Sequence, residues 1–440
     1  MLFHNPIYLL IFLPVVFCIY FSIPSNKINL RIYFLVLSGL IFYAYWNIKL
    51  SPLIVIAILV NFYFSKKITN NANIIYKKKI LVISIIFNIL YLGFFKYADF
   101  VINNVNIVFN SDFSILNLPF PLALSFVTFQ TIAFLVDCFE GNIEKNNIRR
   151  YSLFIIFFPQ LIAGPIVRYN DMITQFEDKK KSSIIYKNIC IGLIVISIGL
   201  IKKVLIADNL SVIVDGGFDS NEQISLFGSW LVTFSFAFQL YFDFSGYIDI
   251  ATGSALLFNI NLPTNFNSPF KANSIINFWQ RWHITLTNFL TNYIYNPYLR
   301  SFKKLTFLKS MIGTMLVFLI AGLWHGPSWL FVIFGGLHGA GLITNHIYRK
   351  FISLKINNFF SQVLTFVYVS FSLIFFRAES LDDALKIIKG LYSFNSDLNL
   401  LNLYIPLNSI IAFIISIVVC FIFSNTKYIT DQLKKSKILD

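Results

Sequence analysis

Charge is scarce in this 440-residue chain. Asp, Glu, Lys and Arg make up 12% of it, against about 25% in an ordinary soluble domain. A chain this long cannot cover its surface in water with so few charges. That excludes a soluble enzyme, and a disordered, collagenous or coiled-coil chain with it. Cysteine is scarce too. Cys18, Cys138, Cys190 and Cys420 stand in or beside apolar runs with no CxxC spacing, so they read as small apolar fillers rather than disulfides or metal ligands. HExxH, a Walker loop, GxGxxG and GxSxG are all absent. The usual signatures of zinc hydrolases, nucleotide-binding folds and serine-elbow hydrolases are therefore missing.

What is abundant is apolar. Hydrophobic types make up 57% and the mean hydropathy is +0.71. The apolar residues come in continuous runs near twenty residues, such as Leu401–Ser424. Barrel strands would alternate and be about 9–11 residues long. The fold class is therefore an all-α polytopic membrane protein, read as one integral-membrane domain over 1–440. The formal charge of +15 fits basic cytoplasmic loops rather than nucleic-acid binding. Asn5–Ile23 is longer than a signal-peptide core and lacks a basic leader, so it reads as a retained first span.

Loop charges orient the chain. Lys27 and Arg31, the cluster Lys66, Lys67, Lys77, Lys78 and Lys79, and then Lys145, Arg149 and Arg150 are expected inside. The stretch around Asp112, and an acidic loop with Asp208, Asp215, Asp219 and Glu222, are expected outside. Lys427, Lys434, Lys435 and Lys437 close the chain on the inside. With 5 spans before Glu140 and 6 after Tyr186, about 11 are expected, the N-terminus outside and the C-terminus cytoplasmic. Tyr151–Val167 breaks the alternation. It lies between two basic loops and holds Pro159, Gly164 and Pro165. Broken backbone at membrane depth must be satisfied by protein or cavity water, so a re-entrant element lining a cavity is expected. There is no internal repeat to support an inverted-repeat transporter.

Ionisable groups at membrane depth are costly and so informative. His325 lies in Ala-Gly-Leu-Trp-His-Gly-Pro-Ser-Trp, at a helix break set by Pro327. Imidazole is a ready general base near neutral pH; equally, it could be a buried hydrogen-bonding group. A helix over 276–290 would align Ile276, Trp279, His283, Leu286 and Leu290 on one stripe, with Asn277, Arg281, Thr285 and Asn288 beside it. His283 then points into a cavity, or the helix lies in the interface anchored by Trp279, Trp282 and Arg281. His338, among Gly335, Gly336, Gly339 and Gly341, reads as a helix-packing position. Asp243 and Asp249 could orient a histidine, pair with Arg281 or form structural salt bridges.

Several of these stretches, in this order, resemble the membrane-bound O-acyltransferase family, and within it the bacterial alginate O-acetyltransferase-like branch. They are PLALSFVTFQTIAFLVD (Pro121–Asp137), FPQLIAGPIVRY (Phe158–Tyr169), Tyr241–Phe270, FWQRWHITL (Phe278–Leu286), GLWHGPSW (Gly322–Trp329) and FFRA (Phe375–Ala378). The resemblance covers about 90–400. It implies a multi-span fold with re-entrant and interfacial helices around a polar tunnel, in a bacterial cytoplasmic membrane. His325 and His283 fall on the family's two histidine positions and are the expected catalytic residues. Trp279, Arg281, Trp282, Asp243 and Trp324 beside them, and Gln160, Pro165 and Arg168 in the FPQLIAGPIVRY stretch, are expected to line the tunnel. No bound cofactor or metal is implied. The expected donor is cytoplasmic acetyl-CoA, and the expected acceptor an extracytoplasmic polysaccharide of alginate or peptidoglycan type. The branch commonly works with a separate extracytoplasmic partner of the SGNH-hydrolase type, and only about 40 residues follow position 400 here, too few for that domain. His325 would act as general base on an acceptor hydroxyl, directly or through an acyl-enzyme. The competing readings are D-alanyl transfer to teichoic acid from a carrier-protein thioester, and a polytopic transporter or flippase.

Overall fold

The computed structural model describes residues 3–143, 146–162, 164–220, 223–352, 354, 356–393 and 405–436. Helices are its regular elements, and no strand occurs among the described residues. The expected apolar runs are largely helical where described, but they are not equal, and the count of 11 spans is not reproduced. Six are long and apolar enough to cross a membrane: Ile48–Thr69, Ile74–Phe109, Tyr186–Phe218, Phe307–His325, Trp329–Ile352 and Asn358–Arg377. Ile7–Ser22, Ile28–Ala44 and Leu124–Phe139 are apolar but shorter. Leu407–Phe421 bends by 57° into Thr426–Lys435. Leu226–Leu257 is 32 residues long, yet its Ser, Thr, Gln and Asp residues leave it outside the apolar set. Positions 401–404, Lys145, Glu222 and Lys437 lie outside the described residues.

The chain forms two compact units. One comprises Met1–Ile196, Ile248–Pro263 and Leu433–Asp440; the other comprises Ser197–Tyr247 and Thr264–Gln432. In the first unit, Asn73 caps the Ile74–Phe109 helix by accepting the N–H groups of Ile75 and Tyr76. Asn61 and Asn88 exchange side-chain amide bonds of 3.1 and 2.6 Å between that helix and Ile48–Thr69, the kind of polar link that joins helices in lipid. Phe42, Tyr8, Phe12 and Phe158 form an aromatic core.

The 151–167 segment is not one helix. It runs as Ile148–Ile156, breaks at Phe157 before Pro159, continues as Phe158–Leu161, and has no regular structure over 164–168. Leu153 to Phe158 are fully buried. Two glycines allow this. A Cβ on Gly39 would lie 2.1 Å from the Ile156 carbonyl oxygen, and one on Gly164 would lie 2.4 Å from the Gln160 Cα. Arg31 departs from expectation: it is a buried helical residue rather than a loop charge. Its guanidinium donates to the carbonyls of Ile23 and Ser182 and lies over the Tyr20 ring.

In the second unit the Phe307–His325 and Trp329–Ile352 helices form a tight hairpin. Thr306 caps the first helix and Ser328 the second, and Pro327 stands between them. Added Cβ atoms on Gly322 and Gly335 would each fall 2.2 Å from a carbonyl oxygen of the facing helix, so the backbones touch. Gly339 faces Met315 and Gly341 faces Tyr368, whereas Gly336 meets only ordinary contacts. The expected acidic loop is helical. Asp208–Phe218 continues the preceding helix because Leu210, Ile213, Val214 and Phe218 are buried along one side. A π-helical stretch, Ile201–Ala207, precedes it. That winding puts residues five apart together, and Lys203 Nζ lies 2.9 Å from Asp208 Oδ1.

Candidate functional site

His325 is the last residue of its helix, and Gly326 is already extended. The break is local in origin, because Pro327 disfavours helix at the residue before it. The imidazole is half-buried among aromatic rings. Trp324 lies at 4.9 Å between centroids, Phe376 at 5.1 Å, Phe334 at 5.9 Å and Phe331 at 6.4 Å. Phe376 belongs to the FFRA stretch, and this packing gives that stretch a role.

His283 is where sequence periodicity fails. The expected helix over 276–290 is two short helices, Ile275–Trp279 and Ile284–Leu290. His283 lies between them with φ 43° and ψ 51°, a left-handed conformation uncommon for a non-glycine residue. Turning the chain there takes His283 off the Trp279–Leu286 stripe, yet leaves it only 2% exposed. Its Nδ1 lies 3.1 Å from Asn265 Oδ1. Its ring packs against Phe244 at 4.9 Å and Trp324 at 6.5 Å. Burial pushes the imidazole down to about 3, and the nearby His325 acts in the same direction. Trp324, buried between them, is the indole that both histidines touch.

His338 is equally buried, at 1% exposure, but both of its nitrogens are occupied. The Trp279 indole N–H donates to Nδ1 at 3.2 Å, and Nε2 lies 2.8 Å from Ser372 Oγ. An indole can only donate, so Nδ1 is the bare nitrogen and the proton is on Nε2. Ser372 accepts that proton and passes its own to the Val369 carbonyl at 2.7 Å. The packing reading of His338 thus acquires a partner set, a chain of hydrogen bonds joining three helices.

The carboxylates depart from expectation. Asp243 does not pair with Arg281; its Oδ1 lies 2.5 Å from Lys203 Nζ. Arg281 donates instead to Asn277 Oδ1 at 3.0 Å and to the Asn267 carbonyl at 3.2 Å. Asn277 stands four residues before Arg281 and takes its Nε, whereas Lys203, in the π-helical stretch, pairs with both Asp208 and Asp243. Trp282 is buried in an aromatic cluster with Phe278 at 5.6 Å and Phe266 at 5.1 Å. In the first unit Gln160 is buried, its side-chain N–H donating to the Phe154 carbonyl at 2.7 Å. Its Oε1 has no partner among the described residues. Pro165 is buried and Arg168 exposed. Asn265, Phe244 and Phe334 are site residues that sequence reading missed, because none carries a pattern of its own. Among the described residues no group of three or more His, Cys, Asp or Glu could hold a metal ion.

Fold and site define a helical, polytopic membrane protein with two histidines from separate chain breaks meeting one buried indole. Comparison with known proteins gives the family. Residues 140–381 match the membrane-bound O-acyltransferase (MBOAT) family. A peptidoglycan O-acetyltransferase of Helicobacter pylori is 42% identical over 428 residues, spanning 90% of this chain and 80% of the relative. A protein named probable alginate O-acetylase, of Azotobacter vinelandii, is 31% identical over 414 residues, 91% of this chain and 80% of the relative. A teichoic acid D-alanyltransferase of Bacillus subtilis is 29% identical over 273 residues, 59% of this chain and 69% of the relative. The chain belongs to the membrane-bound O-acyltransferase family and is an O-acyltransferase.

Proposed function

We propose that this protein transfers acetyl groups from cytoplasmic acetyl-CoA to an extracytoplasmic cell-envelope polymer, with peptidoglycan the favoured acceptor. The 42% identity to the Helicobacter pylori peptidoglycan enzyme, over 90% of the chain, supports that acceptor. The observation that carries the chemistry is the convergence of His283 and His325 on Trp324. In the proposed reaction a hydroxyl attacks the thioester carbonyl. His325 takes the hydroxyl proton as the C–O bond forms, the C–S bond breaks, and the proton returns to the departing thiolate. The aromatic rings around His325 limit water, which would otherwise hydrolyse the thioester. In the second unit Arg281, Trp279, Trp282 and Asp243, and in the first unit Gln160, Pro165 and Arg168, are each proposed as substrate-contacting residues. A separate SGNH-hydrolase-type protein completes transfer outside the cell, and the whole chain acts as one functional domain of the bacterial cytoplasmic membrane, N-terminus outside and C-terminus cytoplasmic.

The test is ester-linked acetate released from purified envelope glycan of strains carrying wild-type or His325→Ala protein at matched membrane level. Loss of acetate with His325→Ala supports the reading; wild-type acetate in the variant overturns the mechanism. The resemblance to the Bacillus subtilis D-alanyltransferase favours a second reading, transfer of D-alanine from a carrier-protein thioester. Release of D-alanine instead of acetate would select it. Cysteines introduced near Asp112 and Asp215 should label from outside intact cells, and one near Lys78 only after permeabilisation.

A further inference from the structure

Asn265 touches three donors at once. Its Oδ1 lies 3.1 Å from His283 Nδ1, 3.2 Å from the Thr285 backbone nitrogen and 3.0 Å from Thr285 Oγ1. The amide could in principle be flipped, but a backbone N–H can only donate, so the atom facing Thr285 must be the oxygen. Oxygen at that position then fixes the imidazole. Nδ1 must carry the proton and donate it, which leaves the lone pair on Nε2. No protein group among the described residues takes Nε2. His338 is the mirror case, with Nδ1 bare and both nitrogens bonded.

The same residue explains the strained turn. The Asn265 carbonyl accepts the Ile284 N–H at 3.0 Å, and the Arg281 carbonyl accepts the Asn267 N–H at 2.9 Å. Residues 265–267 thus run alongside the 281–285 turn. His283 is the N-cap of the Ile284–Leu290 helix but gives it no side-chain bond. Asn265 satisfies the first two helical N–H groups instead, one with its main chain and one with its side chain. The cap bonds reach back 19 and 20 residues to Asn265, so the histidine ring is free of capping duty.

We infer that Asn265 is the positioning residue of the histidine pair, holding His283 in the left-handed turn as the Nδ1–H tautomer so that Nε2 can receive or relay a proton of the acyl-transfer reaction. This rests on the proposed function, since it gives a task to a histidine of that site. It explains how a fully buried imidazole stays both neutral and directional. Asn265 donates nothing to the ring and carries no charge that would draw a second proton onto it. His325 is the titratable group that acts on His283.

The experiment uses full-length protein in nanodiscs, with acetyl-CoA thioester turnover followed from about pH 4.5 to about pH 9, a range that brackets the ordinary imidazole value of about 6.5. His283→Asn comes first. Asn tolerates left-handed backbone and can donate to Asn265, so the fold is kept while the base is lost, and the rate should fall about 10²–10⁴-fold. Asn265→Leu should cost about 10–100-fold, by analogy with removing the hydrogen-bond partner that orients a metal-ligating histidine. Asn265→Asp is the decisive arm. A carboxylate still accepts all three donors, so stability returns. Its charge favours imidazolium, so an acid limb absent from the wild-type profile should appear inside the assay range, at least one pH unit above any wild-type limb.

The outcomes separate the two claims. A wild-type rate with His283→Asn removes His283 from the reaction and overturns the function assigned to it. Loss of rate with His283→Asn, together with an Asn265→Asp profile that overlays wild type, overturns the positioning role alone. Asn265 would then be only a helix cap. If Asn265→Leu fails to fold, the Asn265→Asp profile still decides.

Discussion

His283 and His338 are both buried in the second unit, one beside Trp282 and Trp324, the other beside Trp279. Burial does not distinguish them: 2% and 1% exposed. What differs is the ledger of hydrogen bonds. His338 stands on a regular helix with a donor on one nitrogen and an acceptor on the other. It has nothing left with which to react. His283 stands in a left-handed break and spends one nitrogen on Asn265. A buried polar group is normally satisfied, so a half-satisfied imidazole on strained backbone is the stronger mark of chemistry.

The largest effect that would break this comparison concerns activity. His325→Ala and His283→Asn should each lower acyl transfer by about 10²–10⁴, while His338→Ala, corrected for folded protein, stays within a few-fold of wild type. A dead His338→Ala enzyme at normal stability would erase the distinction. Stability should show the opposite order. His338→Ala strands the Trp279 N–H, removes the donor to the Ser372 Oγ and opens a cavity, so it should cost about 2–4 kcal/mol by thermal or denaturant unfolding.

The hairpin that carries both His325 and His338 gives a smaller and sharper contrast. Gly335→Ala would press a Cβ to 2.2 Å from the Phe318 carbonyl oxygen, whereas Gly336→Ala meets nothing nearer than 3.7 Å. The first should cost about 1–3 kcal/mol and the second almost nothing in unfolding temperature. Equal losses would mean that the backbone contact does not hold the hairpin.

The smallest effect is a pH slope. His283 is neutral in the folded protein, its imidazole held down to about 3 from the ordinary 6.5. Between those values the unfolded chain binds the extra proton, so stability falls as pH is lowered through that window. The slope from this group is at most about 1.4 kcal/mol per pH unit. His283→Asn removes the contribution, and the stability difference between variant and wild type should therefore drift in the variant's favour on acidification below about pH 6.5. A difference that stays flat with pH would mean that the imidazole is not desolvated.

Much of the site was legible because its signals are local. Pro327 after Gly326 announced the break at His325. Pro159, Gly164 and Pro165 announced the broken, buried segment before Tyr169. Even the small-residue run around His338 was readable as packing, although only Gly335 and Gly339 press closely on the facing helix. What escaped was set by distant partners. The 276–290 stretch has a helical period, and nothing in it announces a left-handed residue at its centre. Asp243 looked available to Arg281, but Lys203, 40 positions earlier in the chain, takes it in the folded protein.

The sequence by itself determined the class: too little charge for water, apolar runs that become helices, and two histidines in motifs shared with a family of acyltransferases. Those properties are carried by composition and by neighbours in the chain, and they survive without knowing the fold. Only the tertiary structure decided which imidazole has both nitrogens bonded and which has one, because a ring's tautomer is fixed by whatever atom packs against it. For His338 that atom comes from 59 residues away, and for His283 from 18. Hydrogen-bond partners at such separations are chosen by the packing of helices, and no short-range pattern encodes them.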